Sequence, residues 1–576
     1  MIADLGLTSG HKQIIFGTAN HKLYVMNYNG TVASGFPVTL PGDVYSSPAV
    51  GDLDGDGIPD IVVGYGSTIE IASTGLETGG VCAYHRNGTQ MWCRVAGDFG
   101  GSPSGAPDGK PDPVMSTPAI GDVDGDGSPD VAWGGLDANI YLVNGASGSN
   151  KLGWPKFVRD TLFSSPALAD LDGDGKLEVI IGADAHQEGA PYNTPNGGCL
   201  HVLRSDASEL TGFPQCINQV IDSSPAVGDI NGDGKPEIVV GTGRFYSGGT
   251  HAVYAFKCDG SQAAGWPVAV DGEVETSPAI GDINGDGTLD VIVTDNNDSP
   301  STTFHVYGFK GNGTLIFKTQ PKTFFGTTPN AGSPRIADIL GDSKPEIILP
   351  IGTELCILSS TGAQLTDNGT HPAGSFSFYT DTALSGVAIG DLDNDDAANE
   401  MVAVSASPFP TASDTKVFAW TMTTNTTPTW GFFKYSPARV NTVPGTPSCQ
   451  IVPSSKFYTL TPCRILDTRN SAGPYGGPAI PAQSTRDFVL AGQCGIPVGA
   501  TSASINVAVI PNEAGNLKIY PTGTQPTLAT FIQFPMGRVL ANNGMAKLGS
   551  GGAVTVQNNQ ATGSVDIVMD TNGYSK

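Results

Sequence analysis

The sequence predicts an all-β chain, an eight-bladed β-propeller (seven blades being the alternative) followed by a C-terminal β-sandwich, and three observations carry that prediction. A unit reading Ser-Pro-Ala-Val-Gly-Asp, then an acidic glycine-rich loop, then a β-branched run recurs along most of the chain, as over 47–63. Gly 77 and Pro 42 with only 15% charged residues make turn punctuation dense, and no convincing helix emerges. Beyond Val440 the unit stops and strands with apolar–polar alternation take over.

The first loop aspartates are Asp52, Asp122, Asp170, Asp229, Asp282, Asp338 and Asp391, and Asp4 holds the same place in a truncated first unit, which makes eight units. Each is expected to form four strands: A before the loop, B after it (Ile61-Val62-Val63), C (Ile140-Tyr141-Leu142-Val143) and D. Strand D is approached through Gly35-Phe36-Pro37, Gly153-Trp154-Pro155, Gly212-Phe213-Pro214 and Gly265-Trp266-Pro267, whose aromatic ring is expected to pack between neighbouring sheets. A sheet of four short strands cannot bury both faces alone, so radial stacking supplies the core and ring closure protects the edges. Spacings of 48 residues (Asp4 to Asp52) to 70 (Asp52 to Asp122) are too long for a calcium-binding β-helix. Met1 stands where Ala119 stands in its unit, so most of the first strand A is expected to be missing. Processing or a shortened start explains that gap, and the competing readings fill it with a strand from the chain's own C-terminal side or from a second molecule.

In Asp52-Leu53-Asp54-Gly55-Asp56-Gly57-Ile58-Pro59-Asp60, side-chain oxygens fall at positions 1, 3, 5 and 9, a backbone carbonyl is available at 7, and glycine at 6 permits the sharp turn. A hard cation with six to eight oxygen ligands needs that convergence. The set recurs as Asp122, Asp124, Asp126, Asp130; as Asp170, Asp172, Asp174, Glu178; as Asp229, Asn231, Asp233, Glu237; and as Asp282, Asn284, Asp286, Asp290. EF-hands are rejected, because they require a glutamate at position 12 and flanking helices. The Asp338 loop has Leu340 at position 3 and lacks glycine after Asp342, so it is expected to bind nothing. The last loop keeps Asp391, Asp393 and Asp395 but has Asp396 in place of glycine and an extra residue before Glu400, an incomplete candidate.

These loops resemble the FG-GAP or VCBS repeats of integrin α-subunit propellers and of many secreted bacterial proteins, over roughly residues 1–440. The resemblance implies structural calcium, about five or six ions, pinning the connection between strands A and B.

A net charge of -26 disfavours nucleic acid and anionic membrane surfaces, and with so many carboxylates at fixed spacing it reads as cation binding. No run approaches the ~20 apolar residues of a membrane helix, and the first residues lack the regions of a secretory leader, so the chain is expected to be soluble without membrane insertion. Extracellular placement follows from the cysteines. Cys82 and Cys93 flank an Asn87-Gly88 turn, expected to be a two-residue type I′ hairpin opposing Tyr84 with Met91 and Arg86 with Thr89. Cys199 pairs with Cys216 in the corresponding hairpin, and Cys463 with Cys494 near the C-terminus; Cys258 and Cys356 read as buried free thiols, and Cys449 stays unassigned. Asn29, Asn87, Asn312 and Asn368 each begin Asn-Gly-Thr, where turn chemistry suffices without glycosylation.

Residues 441–454 read as a linker and 455–576 as the sandwich, with Ser504-Ile505-Asn506-Val507-Ala508-Val509 its clearest strand. The stretch Thr461-Pro462-Cys463-Arg464-Ile465-Leu466-Asp467-Thr468-Arg469 and the ending Asp570-Thr571-Asn572-Gly573-Tyr574 resemble a terminal module of large secreted bacterial proteins; Arg464, Asp467 and Arg469 read as a fold-stabilising ion-pair network, with a binding cluster as the alternative. Long insertions (65–80, 96–114, 184–198, 242–250, 295–303, 405–415) all fall at B–C or D–A connections, on the face opposite the acidic loops. His186, Tyr192, Arg244, Phe245 and Tyr246 are the residues there best suited to grip a glycan or protein ligand. The functional expectation is a non-enzymatic adhesion, surface-matrix or filament component that binds on that face or self-associates into fibres or layers. A lyase-like polysaccharide-active enzyme is the alternative.

Overall fold

The computed structural model describes residues 1–8, 10–75, 77–99, 109–186, 196–243, 249–296, 304–322, 331–366, 384–393, 400–405, 416–421, 457–525 and 530–575. The chain divides into two compact units, Met1–Gln450 and Ile451–Lys576.

The first unit is a β-propeller: eight separate antiparallel sheets follow one another among its described residues, six of four strands and two of three. Strand A is three residues long in most sheets, as in Ala49–Gly51, Ala119–Gly121 and Ala279–Gly281, and the A strands of successive sheets lie side by side. The β-branched B strands Asp60–Tyr65, Asp130–Gly134, Glu237–Gly241 and Asp290–Thr294 are buried along their whole length, because each is covered by a neighbouring sheet on both faces. Every apolar cluster of this unit accordingly spans neighbouring sheets, two in most and three in the largest. Ala49, Val62, Val81 and Trp92 of the second sheet meet Ile120, Val131, Trp133 and Tyr141 of the third, each large side chain contributing about 1.5–3 kcal/mol by leaving water. Ile2, Ile14 and Phe16 of the first sheet meet Ala388, Leu392 and Val402 of the last. The Lys12 N–H also donates to the Leu392 carbonyl at 2.9 Å, so the ring closes.

That closure corrects one expectation. Strand Ile2–Thr8 pairs Ile2 with Ile14 and Ala3 with Gln13, the register in which Val50 meets Ile61 and Gly51 meets Asp60 in the second sheet. Because strand A needs only about three residues, no strand is missing from the first sheet and none has to be donated.

Two serines or threonines before the repeat's proline form a hydrogen-bonded belt between sheets. Ser47 N–H donates to Thr117 Oγ1, Thr117 N–H to Ser165 Oγ and Ser165 N–H to Ser224 Oγ, at 2.9–3.2 Å. Ser46 Oγ, Ser164 Oγ and Ser223 Oγ donate to the carbonyls of Ser116, Ser223 and Thr276. The Gly-aromatic-Pro signature works at the next contact out. A Cβ on Gly35 would lie 1.9 Å from the Asn87 carbonyl oxygen, and one on Gly265 1.9 Å from that of Asn312, so only glycine lets strand D touch the following sheet's C–D turn. Trp154 and Trp266 donate their ring N–H to the carbonyls of Ser205 and Gly311 in that sheet.

Three further expectations change. The C–D hairpins are not two-residue type I′ turns: His85 N–H donates to Thr89 O and Gly88 N–H to His85 O, with Gly88 at φ 82. This is a three-residue loop with a bulge, so Tyr84 opposes Gln90 rather than Met91, although Cys82 still faces Cys93. A helix spans Thr68–Thr74, with Ser67 accepting from Glu70 N–H and Gly75 ending it at φ 72; Ser67-x-x-Glu70 is a capping-box pattern that the surrounding isoleucines and threonines masked. Cys258 is disulfide-bonded, with a partner outside the described residues, whereas Cys356 is a buried free thiol. The disulfides Cys82–Cys93, Cys199–Cys216 and Cys463–Cys494 are formed. Cys449, Asn368 and the linker 441–454 lie outside the described residues.

In the second unit two sheets face one core. Strand Ser502–Pro511 alternates buried and half-buried residues along its whole length, as a strand with one covered face must. No helix among the described residues is long and apolar enough to cross a membrane.

Candidate metal centres

The five intact loops share one backbone lattice. The first aspartate accepts the N–H groups that follow it: Asp52 Oδ1 from Gly55 and Asp56, and Oδ2 from Gly57, at 2.8–3.1 Å. Asp229 and Asp282 repeat all three bonds, and Asp122 and Asp170 repeat two each. The acid at position 5 accepts from position 7, as Asp56 does from Ile58, Asp174 from Lys176 and Asp233 from Lys235. Position 9 opens strand B and is buried in every loop: Asp60, Asp130, Glu178, Glu237 and Asp290. One oxygen of each accepts the N–H of position 2, which aims the carboxylate back into the loop.

Carboxylate oxygens of Asp52, Asp54 and Asp56, of Asp122, Asp124 and Asp130, and of Asp170, Asp172 and Glu178 converge to within 4.8 Å of one another. Burial, then the neighbouring loop carboxylates, push Glu178 and Glu237 up to about 8. Asp130 and Asp290 rise to about 6 from burial, with Asp124 in the first case and Asp286 and Asp282 in the second adding to the shift. Such groups are short of positive charge, and a divalent cation with all-oxygen preference matches the deficit.

The sequence reading missed the side chains that answer that deficit within the protein. Lys151 Nζ lies 2.6, 3.2 and 3.0 Å from Asp124, Asp126 and Asp130; Arg204 meets Asp172, Lys310 meets Asp286, and His85 meets Asp60. Asn284 donates its amide to Asp290. His85 and Lys310 sit on strand C directly opposite position 9, a relation visible once strands B and C are aligned. Lys151 comes from beyond the C–D turn and leaves no such mark.

The Asp338 loop keeps the lattice but has Leu340 in place of the position-3 acid. Gly341 and Ser343 N–H donate to Asp338, and Ile339 N–H to Glu346, while Ser343 adopts φ 67 where glycine stands elsewhere. In the first sheet the neutral Gln13 accepts the Leu5 N–H in the same way. The last loop differs again: Asp391 Oδ1 and Asp393 Oδ1 are buried without a hydrogen-bond partner among the described residues, and Leu392 N–H donates to Glu400, while Asp395 lies outside the described residues.

Of the long-loop candidates, His186 ends strand Glu178–His186 opposite Asn196; Tyr192, Arg244, Phe245 and Tyr246 lie outside the described residues. In the second unit Arg464 pairs with Asp570 at 2.9 Å and Arg469 grips Asp467 through two bonds, which holds the Asp467 carboxyl down at about 2. A cleft of about 570 Å³ beside Arg464 and Asp570 is lined also by Asn506 and Asn572.

Fold and loops together define a propeller built on repeated acidic A–B turns. The chain carries four FG-GAP-like repeats, matched over residues 9–63, 122–181, 229–293 and 282–349. No curated protein matches it. Among solved structures it is similar to the biofilm matrix protein Bap1 of V. cholerae (12% identity, 67% of this chain and 88% of that one, TM-score 0.36). BamB from Moraxella catarrhalis gives 13% identity over 72% and 95%, TM-score 0.42, and the Bacillus licheniformis rhamnogalacturonan lyase 14% over 66% and 71%, TM-score 0.39.

Proposed function

We propose that the chain is an extracellular binding or structural protein, an adhesion, surface-matrix or filament component without catalysis, whose propeller is held by calcium at the five intact loops. The observation that supports this most is the repetition itself: five loops aim a buried position-9 carboxylate at aspartates held by the same backbone bonds. Calcium supplies the missing positive charge and fixes each A–B connection to its strand B. The loop at 391–400 is a sixth candidate, since its two orphaned oxygens fit a cation. Hairpin disulfides in the second and fourth sheets suit an oxidising, extracellular setting. The ligand, a glycan or protein, is assigned to the face of long insertions, or that face meets another copy of the chain.

Calorimetric titration of metal-stripped protein with calcium, followed by negative-stain microscopy with and without chelator, tests this reading. Five or six bound calcium ions and assemblies that fall apart on chelation are expected for a matrix or filament component. Absence of calcium binding overturns the metal assignment, and cleavage of a polysaccharide by the purified protein overturns the non-catalytic one.

A further inference from the structure

The helix Thr68–Thr74 belongs to the B–C insertion of the second sheet, and it carries Glu70 against the first sheet. There Glu70 Oε1 lies 2.6 Å from His21 Nε2. The Asp43 carboxylate approaches the same imidazole nitrogen at 3.5 Å. Glu70 Oε2 accepts the Asp43 backbone N–H at 2.9 Å, which locks the two acids together. Donor atoms of the three side chains lie within 4.8 Å of one another. His21 sits in the B–C turn of the first sheet, between strands His11–Thr18 and Lys22–Asn27, and Asp43 in the connection to the second. The cluster therefore lies on the face of long insertions, away from the acidic A–B loops.

The charge balance of this cluster is wrong for a simple ion pair. Asp43 and Glu70 are 6% and 3% exposed, and one imidazole stands between two carboxylates. Glu70 is well satisfied, but the Asp43 carboxylate accepts no hydrogen bond among the described residues, and its one close partner is the shared His21 nitrogen. A nine-tenths-buried carboxylate aimed at an imidazole that another acid already holds lacks a cation.

We propose that His21, Asp43 and Glu70 form a transition-metal site, zinc foremost, distinct from the calcium loops. One nitrogen and two carboxylate oxygens suit zinc, whereas calcium and magnesium favour oxygen alone. Metal–ligand bonds of about 2.0–2.1 Å in a tetrahedron separate donor atoms by about 3.3 Å. The His21–Asp43 distance already meets that value, and the imidazole, one-third exposed, has room to withdraw from Glu70 and exchange its proton for the metal. The open side faces solvent through His21, so water completes the coordination. The metal ties the first sheet's B–C turn to the second sheet's helix.

The test uses the full chain saturated with calcium, dialysed against micromolar zinc, with zinc and calcium counted by elemental analysis. A single equivalent of zinc is expected, unaffected by excess calcium, lost in His21→Gln and in Asp43→Asn, and retained in His85→Ala. His85 is the control because it too lies beside carboxylates, those of Asp54 and Asp60. Unchanged calcium content in His21→Gln shows that the propeller has folded. Cobalt substituted for zinc should give visible bands of nitrogen and oxygen ligation that disappear in the same two variants. Failure of the wild type to retain zinc, retention by His21→Gln, or loss only in His85→Ala overturns the site.

Discussion

The loop at 170–178 and the loop at 338–346 have nearly the same backbone and different chemistry. Asp170 and Asp338 each bind two following N–H groups, and Glu178 and Glu346 each accept the N–H of position 2. Yet position 3 is Asp172 in one and Leu340 in the other. The first aspartate and the buried position-9 residue therefore make the turn, and the side chain at position 3 is where the carboxylates of the two loops differ. Shape and charge are separable, and Gln13 in the first sheet, neutral and still bonded to Leu5 N–H, makes the same point.

Chelation should break the comparison most strongly. Calcium in about hundredfold excess over its dissociation constant stabilises by about 2.7 kcal/mol per site, so removal should lower the thermal midpoint of the propeller, and scanning calorimetry with and without chelator reads it. Next, Asp170→Ala and Asp338→Ala should each lose about 1 to 3 kcal/mol from abandoned charged hydrogen bonds. Only Asp170→Ala should also lose an ion from the calcium count, and equal counts would show that the two loops do not differ as described.

A smaller effect separates the position-9 acids. Burial, then Asp342 and Asp338, push Glu346 up to about 7 from 4.5. The folded protein thus holds this proton more tightly than the unfolded chain does. Its contribution to stability is complete below pH 4.5 and is lost as pH rises through 7. Glu346→Gln should flatten that decline and be the more stable protein at pH 8, whereas Glu178→Gln in calcium should be the less stable; denaturant melts across pH check both. The smallest change is a gain: Leu340→Asp with Ser343→Gly should add one calcium ion, and an unchanged count would show that position 3 is not what silences the loop.

Much of this was legible along the chain. Positions 1, 3, 5 and 9 announce themselves because a turn that gathers ligands does so from within nine residues, and Cys82 faces Cys93 because a hairpin fixes register locally. The helix at Thr68–Thr74 was equally legible in Ser67 and Glu70, and was overlooked because its β-branched residues suggest a loop or strand. The turn type was misjudged because Asn-Gly serves two-residue and three-residue loops alike, and only the Gly88 N–H to His85 O bond decides between them.

Sequence by itself determined the all-β class, the repeated unit, the acidic loops and the alternating strand of the second unit. Each is written in residues a few positions apart, where backbone geometry alone sets the neighbours. Tertiary structure decided which base answers which loop, as Lys151 does for Asp130. It also decided that serines before the proline bond from sheet to sheet, and that His21 meets Asp43 and Glu70. Those groups meet only when separate sheets stack around a ring, and radial packing of buried strands, which no local pattern encodes, chooses that neighbour.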